Sequence, residues 1–312
     1  MTVLVTGGTG FLGSWVTAAL VRAGHEVRIF DRAPQPANLE FVQSGLAGRV
    51  TLVAGDITDA AQVDRVVAGV DSIVHLAGVM TVDCAAHPEA AIAVNLTGSQ
   101  HVFSAAARSG TGRVVYASSA AVYGPDSAVH PRPGSLYGVL KLAVEGVARV
   151  AHQESGIRSL GLRPYIAYGA GESSGIAAGP SIAIRAAVRG EAATLRFVGD
   201  VGFVAVTDIA AVVVAALARM DDAASVVDLP GDYGNVTDFV AALRDHVPGA
   251  DTSATGTPLR LPARIGGAPF PDWLSDVPVS TIAAGIRQAV AHWRHAGTTE
   301  SYVKAPGLGD QQ

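Results

Sequence analysis

Short apolar runs alternate with amphipathic segments through the first half of the chain. Thr2, Val3, Leu4 and Val5 form a run closed by glycines, and residues 11–22 then carry apolar positions at helical spacing up to Gly24, a residue suited to a helix stop. The first unit is strand, turn, helix. The same rhythm predicts strands at 26–30, 50–54, 72–76, 113–117 and 158–162, and helices over 60–68, 90–108 and 137–154. Strands written as continuous Val, Ile and Leu runs are covered on both faces. The pattern therefore predicts an α/β fold with a parallel sheet between two helical layers.

After Arg163 and Pro164 the rhythm changes, and residues 169–179 are rich in Gly, Ser and Ala, as in a loop beside a site. The expected organisation is a first domain over 1–165 with a return segment at about 203–230, a second lobe built from 166–202 and 231–296, and a frayed tail at 297–312.

Composition narrows the functional classes. With 312 residues, 49% hydrophobic and 16% charged, the chain has ample material for a packed core. A formal charge of −5, with Lys and Arg scattered singly, excludes a nucleic-acid footprint. The longest apolar stretch, residues 209–218, is shorter than the roughly 20 residues a membrane span needs, so no membrane partner is expected. Cys84 stands alone, without a disulfide partner or a cysteine-rich metal site, and residues from Thr2 onward read as a strand and not as an export leader. A cytoplasmic location is the expectation.

The turn after the first strand carries the first chemistry. Gly7, Gly10 and Gly13 fall between strand and helix, where missing side chains permit a tight turn, close approach of a diphosphate and close helix packing; Phe11 and Leu12 complete the loop. A helix N-terminus favours the anion. The plainer alternative is an ordinary strand-helix turn. Asp31, closing the second strand, is placed to accept hydrogen bonds from adenosine ribose hydroxyls and to repel a ribose phosphate, which Arg32 beside it offsets in part. NAD is expected ahead of NADP.

Tyr137 and Lys141 are four residues apart, hence one turn apart on one helix face. A neighbouring ammonium and a positive nicotinamide ring favour the phenolate, drawing the tyrosine toward useful general-base strength near neutrality. The bland alternative is a solvent-facing pair. Ser118 and Ser119 end the strand at 113–117 and bring a hydroxyl to the same edge, Ser119 being the better placed.

In order along the chain stand the glycine loop from Thr6 to Gly13, Gly55-Asp56-Ile57, His75-Leu76-Ala77-Gly78, Asn95-Leu96-Thr97-Gly98, Ser118 to Gly124, Tyr137 with Lys141, and Leu162-Arg163-Pro164. This series resembles the extended short-chain dehydrogenase/reductases, the NAD-dependent epimerase/dehydratase family. The resemblance implies a Rossmann-type doubly wound parallel sheet with a smaller C-terminal substrate-binding lobe, and a homodimer formed through the segments 90–108 and 137–154. It implies that Asp56 and Ile57 meet adenine, that Leu76, Ala77 and Gly78 line the dinucleotide, and that Asn95 supports the active site. Tyr137 becomes the acid/base, Lys141 the ribose ligand, Ser119 the donor to the reacting oxygen, and Pro164, Tyr165 and Ile166 neighbours of the nicotinamide.

Departures from the family pattern narrow the substrate. Ala120 and Ala121 follow Ser119 where dehydratases of the family carry an acid, so water elimination lacks its proton donor. Val201 and Gly202 stand where nucleotide-sugar members place an arginine against the substrate diphosphate, and Arg196 is out of register. Met80, Thr81, Ala120 and Tyr165 are candidate pocket residues, and Arg185 a candidate partner for a substrate carboxylate. No metal site is expected, since His75 has no neighbours at ligand spacing. The leading reading is an NAD-dependent oxidoreductase acting on a small secondary alcohol or ketone such as a sugar, sugar acid or polyol. An epimerase working by transient oxidation is the nearest alternative; a non-catalytic dinucleotide sensor is disfavoured because Tyr137 and Lys141 are both kept.

Overall fold

The computed structural model describes residues 1–173 and 175–296; the expected tail at 297–312 lies outside them. The chain opens as β1 (Thr2–Thr6), α1 (Phe11–Arg22), β2 (Glu26–Asp31), α2 (Pro36–Val42), β3 (Thr51–Ala54), α3 (Ala60–Val67) and β4 (Ser72–His75). Next come α4 (Thr81–Ala86), α5 (Pro88–Ile92), α6 (Gly98–Ser109), β5 (Arg113–Ala117), α7 (Leu136–Ser155) and β6 (Arg158–Pro164). The remainder is β7 (Ile166–Tyr168), α8 (Gly179–Arg189), β8 (Ala193–Val198), β9 (Asp200–Ala205), α9 (Val206–Arg219), β10 (Ala224–Leu229), β11 (Asp232–Asn235), α10 (Val236–His246), β12 (Thr252–Pro258) and α11 (Ile282–Ala296).

Seven strands form one parallel sheet in the order β10-β6-β5-β4-β1-β2-β3. Successive side chains of a strand point to opposite faces, and each face has its own core. Val3 and Val5 pack with the side of α1 and α9, whereas Leu4, Ile73, Val114 and Tyr116 pack against α3, α6 and α7. This is why the strands read as unbroken apolar runs. The fold is the Rossmann-type, doubly wound architecture, and strand order reverses between β1 and β4. Side chains and loops at the carboxyl ends of those two strands frame a crevice, the usual ligand position in such sheets.

One expected helix is broken. Residues 90–108 are split by a π-helical stretch, Ala93–Thr97, between α5 and α6. The wider turn brings Asn95 against residue 79, where its Oδ1 accepts from Val79 N at 2.8 Å and its Nδ2 donates to Val79 O at 2.9 Å. Such a detour costs helical hydrogen bonding and is offset here by satisfying both backbone groups of Val79.

Beyond β6 the chain builds two smaller sheets, β11-β9-β7 and the parallel pair β12-β8. The segment around 203–230 divides: β9 pairs with β7 in the three-stranded sheet, while α9 lies on α1 and β10 joins the large sheet beside β6. Among the described residues, no helix is long and apolar enough to cross a membrane, and no cluster of three or more His, Cys, Asp or Glu side chains stands together as metal ligands.

Candidate active site

The glycine loop is held by its own backbone. Gly7 adopts a positive φ of 68°, and a Cβ on Gly13 would fall 2.1 Å from Gly7 O, so only glycine lets α1 start this close to the turn. Gly10 N donates to Gly7 O, and α1 begins with no side-chain cap. Uncapped N–H groups at a glycine cradle fit the diphosphate of a dinucleotide. Asp31 splints the loop from β2: its Oδ2 accepts from Thr9 Oγ1 at 2.7 Å and Thr9 N at 3.3 Å, while Oδ1 receives Ala33 N at 3.4 Å.

The acid/base group assembles where α7 meets the end of β5. Ser135 caps α7 by accepting from Gly138 N, and a Cβ on Gly138 would lie 2.1 Å from Ala121 O. The bare glycine therefore seats the first turn of α7 on the turn that follows Ser119. Tyr137 stands beside Ser119, and Lys141, one turn further on, donates from Nζ to Ala117 O at 2.8 Å. Tyr137 and Lys141 are both buried, at 7% exposure each, beside a cleft of about 390 Å³.

Burial corrects one expectation. It pushes Tyr137 up to about 12, with the Ser119 hydroxyl acting in the opposite direction, and Lys141 is pushed down to about 8 by the same loss of solvent. The ammonium stands 5.6 Å from the tyrosine ring centroid and spends a hydrogen bond on Ala117, so Lys141 does not bring the phenol near neutrality in the protein alone. The resting group is a neutral phenol, ready to donate a proton.

Most expected site residues share this cleft: Gly7, Gly10, Phe11, Leu12, Gly13, Asp31, Arg32, Asp56, Ile57, Leu76, Ala77, Gly78, Met80, Ser119, Pro164 and Tyr165 line it with Tyr137 and Lys141. Asn95 stands behind the wall and acts through residue 79. Four expected residues are placed elsewhere. Ala120 and Ile166 are buried in the core beside α9, because the turn after Ser119 and the start of β7 point them inward. Thr81 is exposed at the start of α4, where the helix carries it away from the cleft. Arg185, on α8, is outside the lining, with a buried Nε that has no hydrogen-bond partner among the described residues. Arg196 is exposed on β8.

Other lining residues went unrecognised, among them Val79, Asp83, Ala167 and Glu172. So did a buried support: Ser118 lines the cleft beside Ser119, its hydroxyl donates to Glu145 Oε1 at 2.6 Å, and Glu145 is paired through both oxygens with Arg163, at 2.7 Å each. Glu145 was legible, since Tyr137, Lys141 and Glu145 recur at i, i+4 and i+8 on one helix face. His75 is a neutral strut, pushed down to about 3 by burial and by Lys141, bridging Thr6 Oγ1 at 2.7 Å and Ser99 Oγ at 2.9 Å.

The chain is similar to known proteins over much of its length. The 3-beta-hydroxysteroid dehydrogenase of Mycolicibacterium neoaurum is 32% identical over 186 residues, 55% of this chain and 49% of that protein. The human 3 beta-hydroxysteroid dehydrogenase type 7 is 41% identical over 132 residues, 41% of this chain and 35% of that protein. The chain thus spans about half the length, or less, of these curated relatives. A crystal structure of the UDP-glucose 4-epimerase of Thermus thermophilus in complex with NAD superposes with a TM-score of 0.78 at 26% identity, over 95% of this chain and 100% of that one. Residues 3–229 match the pattern of one family, and by that match the chain belongs to the NAD dependent epimerase/dehydratase family.

Proposed function

We propose that this protein is an NAD-dependent oxidoreductase that exchanges hydride with the carbon of a secondary alcohol or ketone. The observation that carries the reading is the convergence of Ser119, Tyr137 and Lys141 on the cleft that holds the glycine loop. Bound NAD supplies the hydride acceptor. Ser119 holds the substrate oxygen, Tyr137 moves its proton, and Lys141 positions the ribose. The two small sheets and α11, from 166–202 and 231–296, serve as the substrate lobe. Exposed Val139 and Val150 on α7 and Ile92 on α5 support a homodimer through those helices.

The substrate is an uncharged secondary alcohol. Arg32 and Lys141 are the cations among the described lining residues, one by the adenosine position and one by the acid/base tyrosine, while Val79, Met80, Val94, Ala167 and Ala177 give the wall apolar character. Hydroxysteroids join sugars and polyols as the compounds to screen, with sugar acids as the charged contrast. With NAD, a dehydrogenase produces NADH as the ketone accumulates. An epimerase, favoured by the likeness to the Thermus enzyme, yields inverted product with no net NADH. A screen returning neither product overturns both readings.

Cofactor choice rests on Asp31. Its carboxylate stands at the cleft wall beside the loop it splints, where a ribose phosphate would meet its charge. Asp31→Ala is expected to narrow the NADH-over-NADPH affinity ratio by on the order of tenfold, the factor set by roughly 1.4 kcal/mol. Fluorescence titration of both nucleotides measures the ratio, and an unchanged ratio removes the role.

A further inference from the structure

The loop after β7 runs across the first turns of α1. Trp15 Nε1 donates to Ala170 O at 2.9 Å, and a Cβ on Gly169 would lie 3.7 Å from a ring carbon of Phe11. Two residues on, Glu172 lines the same cleft as Gly10, Phe11 and Leu12. It is the single charged residue in the stretch from Gly169 to Gly179. Gly169 N donates to Ser181 Oγ at 3.1 Å, and Ser181 Oγ donates to Glu172 Oε2 at 2.8 Å. The serine oxygen accepts a backbone N–H and its own proton is directed at the carboxyl. Oε2 is thereby an acceptor, and Oε1 is the atom left to carry an acid proton. Among the described residues, nothing hydrogen-bonds to Oε1.

We propose that Glu172, as a neutral carboxylic acid, donates a hydrogen bond from Oε1 to the diphosphate of the bound dinucleotide, so that dinucleotide affinity is linked to protonation of this one carboxyl. The proposal rests on the dinucleotide reading of the cleft. A diphosphate at the N-terminus of α1 would repel a carboxylate two residues from Ala170, whereas the protonated group offers a donor. Burial pushes Glu172 up to about 8, with the Ser181 bond acting the other way. Below that value the group enters the complex already protonated; above it, binding takes one proton from solvent.

The other titratable or charged side chains lining the cleft are Asp31, Arg32, Asp56, Asp83, Tyr137, Lys141 and Tyr165. Arg185 and Arg189 lie on α8 behind Ser181, Arg196 on β8, Arg22 at the far end of α1, and Asp208 on α9. The shift at Glu172 has no contribution from any of these charges. Lys141, pushed down to about 8, titrates over the same range, and its effect is common to wild type and Glu172 variants.

NADH titrated by fluorescence tests the linkage, because its diphosphate does not itself ionise near neutrality. With Glu172 in place, NADH binding is expected to weaken about tenfold from about pH 7 to about pH 9, in excess of the change in Glu172→Gln, which keeps a donor and cannot titrate. Calorimetry in buffers of different ionisation enthalpy should register proton uptake above about pH 8 in wild type and less in the variant. Ser181→Ala removes a donor to the carboxylate and should move the midpoint upward, which decides the matter if Glu172→Gln does not fold. Parallel profiles for wild type and Glu172→Gln, or an unmoved midpoint in Ser181→Ala, overturn the linkage while leaving the dinucleotide site in place. Failure of wild type to bind NADH at about pH 7 overturns both.

Discussion

Replacing Tyr137 by Phe should lower turnover by about 10²–10⁴-fold while leaving NADH affinity within about twofold. The ring is packed with Cys84, Ala91 and Leu140, and phenylalanine keeps that packing. What it loses is the hydroxyl that meets Ser119 and would pass a proton to or from the substrate oxygen. A loss confined to kcat and kcat/KM identifies an interaction made in the transition state and not in cofactor binding. Wild-type turnover in the variant would remove Tyr137 from the mechanism. The direction of the pKa shifts adds a second reading. Ketone reduction needs the neutral phenol, which burial favours up to about 12, so the rate should hold level across neutrality and fall as Lys141 loses its charge above about 8. Alcohol oxidation needs the phenolate and should instead rise with pH, helped by the positive nicotinamide ring.

The sequence carried the sheet because its strands are buried on both faces: β1 and β5 appear as continuous apolar runs, and α1 as an amphipathic segment with the observed limits. It carried the glycine loop and the Tyr137–Lys141 pair because each depends on local spacing along one turn or one helix. The break at Ala93–Thr97 was hidden, since a π-helical turn leaves the apolar pattern of residues 90–108 nearly intact and is stabilised by Asn95 reaching a peptide elsewhere in the chain. Thr81, Ala120, Ile166 and Arg185 were misplaced for a related reason. Each is near a lining residue in sequence, but one step along a turn or strand redirects a side chain, as Ile166 facing the core and Ala167 facing the cleft demonstrate. The burial that pushes Tyr137 up in the protein alone was hidden because charge proximity is legible in spacing, whereas desolvation is set by the packed surroundings.

A larger effect on stability is expected at Arg163, whose guanidinium joins three elements behind the site. It donates from Nε and Nη2 to Glu145 on α7 and from Nη1 to the Tyr123 hydroxyl, each at 2.7 Å. Tyr123 in turn donates to Asp228 on β10, and Asp228 Oδ2 also accepts from Ala268 N. Arg163, Glu145 and Asp228 side chains are 5%, 9% and 4% exposed, so removing the cation strands two carboxylates away from water. Arg163→Met should cost about 3–5 kcal/mol, the penalty of breaking one partner of a buried pair. The exposed pair Arg108–Asp64 supplies the contrast, because its loss should cost less than about 1 kcal/mol. Urea unfolding measures both, and a loss below about 1 kcal/mol in Arg163→Met would refute the account. Since Glu145 also holds Ser118, next to the active-site hydroxyl, the folded fraction of Arg163→Met should turn over more slowly than wild type. A removed clamp must loosen Ser119 if the network positions the site as well as stabilising it, and unchanged kcat in folded Arg163→Met would confine its role to stability.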